Sequence, residues 1–237
     1  MKLLLLLSLL FQVSCATKYI VPGNRFMTPE TQGGALRGQF EFQITNATQM
    51  AIDTSNGDAE NGVLYEETSR VGFLLSSSFF DSFDLFWSHV GSANSLIGAK
   101  VQLIGDPRIA GSAGHKLAIA AAIGGNEHET DDEAVKFELS GKEFMLLYGY
   151  RINANILPYS NLSYAKYDFE GDIRSSDPIL NGLKPEFETT VLSLSGGVEL
   201  TYDVFFAKLE GTYQQLETTD TKNKSRLILG YSLGLNW

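Results

Sequence analysis

One cysteine, Cys15, stands among 237 residues. That excludes an internal disulfide framework and any metal site built from several thiolates. Only three histidines, His89, His115 and His128, are available for acid–base or metal chemistry. Lysine and arginine form no run anywhere, and the formal net charge is −10. The basic stripe that nucleic-acid binding needs is absent. No apolar run reaches the roughly 18–20 residues of a membrane-spanning helix. The mean hydropathy of −0.05 resembles that of a soluble chain. Strands that alternate apolar and polar side chains dilute the average in the same way, so it does not argue against a membrane protein.

The chain is rich in glycine (23), phenylalanine (15) and tyrosine (10). Its last stretch, Ser225 to Trp237, places Leu227, Leu229, Tyr231, Leu233, Leu235 and Trp237 at every second position. Between them sit Ile228, Gly230, Ser232, Gly234 and Asn236. A period of two makes one face of a strand apolar and leaves the other mostly small or polar. A transmembrane β-strand needs about 9–11 residues, with aromatics at the membrane interface. In position and pattern this segment resembles the C-terminal strand of bacterial outer-membrane β-barrels. That family usually ends in Phe, where this chain has Trp237. The resemblance implies an all-β, antiparallel up-and-down barrel in the outer membrane of a Gram-negative bacterium. It also implies two partners, outer-membrane lipid and the barrel-assembly machinery, the latter addressed through Tyr231, Leu233, Leu235 and Trp237.

The N-terminus reads as a leader. Met1-Lys2 precedes an apolar stretch, Leu3 to Phe11, too brief to cross a bilayer. Val13-Ser14-Cys15 resembles the end of a bacterial lipobox, with Gln12 where the family usually has Leu. On that reading residues 1–15 form a lipoprotein-type signal and Cys15 carries acyl chains, worth about 0.8 kcal/mol per buried methylene. Ser14-Cys15-Ala16 also satisfies the small-x-small rule of ordinary signal peptidase, which would remove 1–16. Residues 16–34 contain Pro22, Gly23, Pro29, Gly33 and Gly34. They read as an irregular segment, either a periplasmic tether or a plug folded up into the barrel.

Residues 35–237 divide into ten expected strands, at about 35–45, 70–78, 83–90, 95–104, 116–124, 135–150, 157–169, 189–200, 205–214 and 225–237. Near Ser140-Gly141 the apolar positions change from odd to even, which predicts a β-bulge. Ala118, Ala120 and Ala122 are small inward residues suited to a narrow lumen. An even count keeps both ends of the barrel on the periplasmic side. Gly105 to His115 is longer than a normal periplasmic turn, which leaves eight or twelve strands as alternatives.

Charge is unevenly placed. Residues 51–69, 125–135, 169–185 and 215–225, the expected extracellular loops, hold 15 of the 28 acids and 4 of the 18 bases. An acidic, solvated cell-surface face follows. A weaker candidate within it is divalent-cation binding by Glu127, Glu129, Asp131 and Asp132, although their spacing matches no EF-hand loop. The lumen is expected to be lined by Arg37, Glu41, Lys100, Glu199, Lys208 and Glu210. Mixed signs suit a filled, self-neutralising interior, whereas a selective pore normally carries rings of one sign.

No Gly-x-Ser-x-Gly, P-loop or His-Glu-x-x-His motif is present. No catalytic residue and no cofactor is therefore expected. The function expected is a structural or surface-interaction role. The alternatives are a narrow porin-like channel, a rim-located hydrolase using His89 with Asp131 or Asp132, or the loop histidine His128, and a soluble lipid-binding barrel. The last would keep its apolar faces inside. Aromatics at strand ends (Trp87, Tyr150, Tyr213, Tyr231 and Trp237) favour an outward aromatic girdle.

Overall fold

A computed structural model describes residues 18–52, 63–91, 95–129, 135–173, 182, 184, 186–219 and 223–237. Its strands are β1 (Lys18–Pro22), β2 (Gly38–Ile52), β3 (Val63–Phe80), β4 (Phe83–Val90), β5 (Ser95–Ile104), β6 (Gly114–Glu129), β7 (Val135–Arg151), β8 (Ile156–Ile173), β9 (Glu186–Tyr202), β10 (Phe205–Thr218) and β11 (Lys224–Asn236). Strands β2 to β11 pair antiparallel with their sequence neighbours. Strand β11 also pairs with β2, from Gly230↔Thr45 to Asn236↔Gln39, which closes a ten-stranded barrel. Closure removes the exposed hydrogen-bonding edges that an open sheet would present.

The barrel has two unlike ends. Four connections lie beside the C-terminus: 81–82, 105–113, 152–155 and 203–204. The strand ends that bound the other five connections lie at the opposite end, here called the loop end. The long connection 105–113 has a local cause. Its 3₁₀ turn, Arg108–Ala110, meets the N-terminal segment: Arg108 N–H donates to Thr31 O and Ile109 N–H to Gln32 O. The extra length of this turn docks on residues 31–32 of that segment.

The N-terminal segment is the largest departure from the expected strand pattern. Lys18–Pro22 forms a strand, β1, antiparallel to the upper part of β2, from Lys18↔Ala51 to Pro22↔Ala47. It occupies the edge of β2 that β11 leaves free above Thr45. Residues 23–34 then descend inside the barrel to the turn end. Leu36, at φ 63°, reverses the chain into β2.

Several strands are longer than expected. Strands β3 and β8 each run 18 residues and β7 runs 17. At about 3.3 Å per residue and a tilt near 40°, β7 rises about 43 Å, against an apolar band of about 25 Å. The excess lies at the loop end. Parts of the segments expected as loops, such as Val63–Ser69 and Phe169–Ile173, are therefore strand.

The predicted bulge at Ser140-Gly141 does not form. Strand β7 keeps unbroken register with β6 and with β8. Even positions from Glu138 to Tyr150 stay exposed, and odd positions from Leu139 to Arg151 stay buried. What changes is the surroundings. Near the turn end Phe144, Leu146, Tyr148 and Tyr150 face outward, whereas higher up the outward residues are Glu138, Ser140 and Lys142. The apolar residue there, Leu139, faces inward instead. Register irregularities do occur elsewhere, between Ser78 and Phe80 and between Gln102 and Ile104.

Candidate functional site

The lumen is filled from the loop end to the turn end by residues 20–34. At the top, Val21 is buried among Leu139, Ala165, Tyr167, Phe169, Val191 and Leu216. Phe169 stacks on Phe187 with ring centroids 4.4 Å apart. Ile20 packs with Ala47 and Val90. This is a water-soluble kind of core, apolar inside and polar outside, built where the strands overshoot the apolar band.

Below it the contacts become polar. The Asn24 side chain donates to Thr212 Oγ1 at 2.9 Å and to Glu210 O at 3.2 Å, and its backbone N–H donates to Thr45 Oγ1 at 3.0 Å. Gly230 is opposite. A Cβ there would collide with Asn24 Oδ1 and come within 2.7 Å of Phe26. Phe26 has φ 53°, a conformation that bulky residues rarely adopt. The result is a pair of consecutive backbone N–H groups aimed at one carboxylate. Arg25 N donates to Glu210 Oε1 and Phe26 N to Glu210 Oε2, each at 3.0 Å. Two successive amides turned to one side form an anion-binding concavity. Tyr159 Oη donates to the same carboxylate at 3.1 Å.

The charged layer follows. Arg25 Nε reaches Glu143 Oε1 at 2.7 Å and its Nη2 donates to Tyr167 Oη at 2.7 Å. Lys208 Nζ lies 2.6 Å from Glu41 Oε2 and donates to Phe26 O at 2.7 Å. Arg108 Nη2 lies 2.6 Å from Glu199 Oε2. Arg151 bridges Glu199 and Glu30, with Nε donating to Glu30 Oε1 at 2.6 Å. Lys116 stands 3.7 Å from Glu30, and Lys100 stands 3.2 Å from Asp84 while donating to Glu30 O at 2.5 Å. A buried charge is tolerable only when paired and hydrogen-bonded. The N-terminal segment supplies partners of both signs, Arg25 and Glu30, together with carbonyls for the wall side chains of Lys100, Lys208, Asn161 and Gln214.

Met27 seats the segment against an apolar wall of Leu74, Phe86, Leu96, Ala118, Ala120, Ala122, Met145 and Leu147. The three alanines leave room for the Met27 side chain that packs with them. At the foot, Thr31 N donates to Gln102 Oε1 at 2.7 Å, and Gly33 N donates to Ser78 Oγ at 2.9 Å.

Five of the six expected lumen residues, Glu41, Lys100, Glu199, Lys208 and Glu210, are buried in this interior. Arg37 is not. It is exposed in the turn before β2, because the left-handed Leu36 delays the strand until Gly38. Sequence reasoning missed Asp84, Glu143, Lys116 and Arg151. Asp84, Glu143 and Lys116 lie at inward positions of expected strands, where alternation could have found them, and Arg151 lies one residue past the expected end of another. Arg25, Glu30 and Arg108 lie outside any strand and carried no such signal.

On the outer wall, Phe40, Leu75, Trp87, Ile97, Ile123, Phe144, Leu194, Leu209, Leu229 and Leu233 are exposed. Aromatic Tyr150, Tyr213, Tyr231 and Trp237 join them. With its apolar residues outward, the barrel is not a soluble lipid-binding barrel. Tyr231, Leu233, Leu235 and Trp237 all face outward, and the Trp237 backbone pairs with Gly38 at the seam. His89 Nδ1 lies 3.0 Å from Ser95 Oγ beside Phe73 and Trp87, on this outer wall. His115 bonds Tyr148 Oη at 2.8 Å near the turn end. Of the weak cation-binding set, Glu127 pairs with Lys136, while Asp131 and Asp132 lie outside the described residues. Among the described residues no group of three or more His, Cys, Asp or Glu could hold a metal ion. Cys15 lies outside the described residues too.

No family model matches the chain, and no curated protein does. Among solved structures it is similar to Ail, the attachment invasion locus protein of Yersinia pestis, in complex with the heparin analogue sucrose octasulfate. The two share 11% identity over 85% of this chain and 100% of that one, at TM-score 0.39. Neisserial surface protein A aligns at 10% identity over 84% and 97% of the two chains, at TM-score 0.39. A bacterial polysaccharide outer membrane secretin aligns at 11% identity over 88% and 100%, at TM-score 0.28. Alignments at this level transfer no residue, ligand or role. The closed antiparallel ladder, the outward apolar and aromatic wall and the packed polar interior are this chain's own. Together they make it a ten-stranded transmembrane β-barrel of the outer-membrane type.

Proposed function

We propose that the protein is a closed barrel of a Gram-negative outer membrane with a structural or surface-interaction role, and that it neither conducts nor catalyses. The observation that carries this reading is the occupied lumen. Arg25, Glu30 and Met27 lie where a water column would otherwise run, and the wall charges are matched to them and to one another. On this reading the turn end faces the periplasm and the acidic loop end faces outward. The outward Tyr231, Leu233, Leu235 and Trp237 act as the assembly signal, and Cys15 is the acylated residue.

The test is planar-bilayer recording on the purified full-length protein. Silence at concentrations where a known porin gives regular steps is the expected result. Discrete, reproducible steps would replace this reading with the narrow channel. Cys15→Ala should abolish incorporation of labelled palmitate, and incorporation that persists would remove the lipid anchor from the proposal.

A further inference from the structure

We infer that the barrel carries its own N-terminus through the lumen, so that the chain before Lys18 emerges at the cell surface and not in the periplasm. The routing follows from register. Strand β2 begins at Gly38, beside the C-terminal Trp237, and ends at Ile52. Strand β1 runs the opposite way along it, with Lys18 opposite Ala51 and Pro22 opposite Ala47. The contacts of residues 21–34 then step downward in order. Gln214 Nε2 donates to Pro22 O at 3.1 Å, Asn24 and Phe26 meet β10, Glu30 meets Arg151, and Gly33 meets Ser78 at the foot. Each step fastens the segment to a different height of the wall. Lys18 therefore stands at the loop end, a full barrel length from Gly33.

The interior cannot hold the segment the other way up without loss. Reversal would separate Arg25 from Glu143 and Glu30 from Arg151 and Lys116, and it would place buried charges in the apolar cluster now filled by Val21. A tag, a lipid or a binding sequence attached before Lys18 is thereby delivered to the outer face. The surface half of this inference rests on the outer-membrane reading; the routing half does not.

Two measurements on the full chain test it. Residues facing each other across an antiparallel pair have Cα atoms about 4.5–5.5 Å apart, within disulfide reach. Val21→Cys with Thr48→Cys should therefore cross-link on oxidation in the membrane-embedded protein. Val21→Cys with Ser76→Cys should not, because Ser76 faces Gln39, about 30 Å further down the ladder. A 21–76 cross-link, or no 21–48 cross-link in a protein that still shows heat-modifiable mobility, overturns the routing. Separately, Thr17→Cys should react with a membrane-impermeant maleimide on intact cells as strongly as after permeabilisation. Labelling that appears only after permeabilisation overturns the surface exit. A 21–48 cross-link in a protein that fractionates away from the outer membrane would keep the routing and sink the location instead.

Discussion

Lys208 is a sensitive single position in this interior. Its ammonium is fully buried between Glu41 and Glu199, lies over the Phe206 ring and holds the Phe26 carbonyl. Removing one member of a buried pair leaves an uncompensated charge, which typically costs about 3–5 kcal/mol. Lys208→Met should lower the urea midpoint of unfolding accordingly, whereas Lys136→Met, in an exposed pair, should leave it unchanged. An unchanged midpoint for Lys208→Met would mean that water reaches this layer. Gly230 makes a second residue-scale prediction. Gly230→Val drives a side chain into Asn24 and Phe26. It should expose residues 18–34 to limited proteolysis while the barrel ladder, read by far-UV circular dichroism, survives.

At the scale of elements, the N-terminal segment and the barrel wall are chemically complementary halves. Deleting residues 18–34 would take one partner from each of Glu143, Glu210 and Arg151 and admit water along the lumen. The deletion variant should conduct where the full chain is silent. Selectivity should be weak, because the remaining wall charges are of both signs. Bilayer recording on both proteins decides this, and a silent deletion variant would show that the wall collapses inward instead. The upper part of the barrel is a separate packing unit. Leu216→Asp places a charge in the cluster around Val21. It should loosen the loop end, read as faster proteolysis there, and leave membrane insertion intact.

The same elements show what alternation could and could not reveal. Strands β2 to β11 were legible because lipid outside and polar groups inside impose a strict period of two. The rule holds only within the bilayer. Above it, Leu139 is buried and Lys142 exposed, the ordinary order for a soluble core, and a change of solvent therefore looked like a bulge. The segment 18–34 was unreadable for another reason. Its residues touch walls on several sides in turn, so no periodicity marks Arg25 or Glu30 as interior.

For the molecule as a whole, the apolar outer wall predicts a graded response to charge along a single strand. A lysine or arginine on the lipid face costs about 2–4 kcal/mol at the bilayer midplane and about 0–1 near the interface. Leu146 stands among the outward Phe144, Tyr148 and Tyr150 on β7, whereas Ser140, on the same face of that strand, stands between the outward Glu138 and Lys142. Leu146→Arg should lower barrel stability in lipid vesicles by that larger amount, and Ser140→Arg should be close to neutral. Equal effects would mean that the bilayer reaches Ser140 and that the barrel has no extramembrane rim.

The seam between β2 and β11 sets an order of events. Strand β11 follows the other described strands in the chain, and it closes the ring against β2 while β2 also carries β1 on its upper edge. Once the ring is shut, Arg25 and Glu30 could enter only by travelling, charged and unpartnered, along a narrow packed cylinder. If they are in place beforehand, each charge leaves water as its partner arrives. The route with the lower barrier is therefore a sheet that curls around its own first-made segment and zips last. On that route residues 20–34 act as the mandrel on which the later strands are shaped.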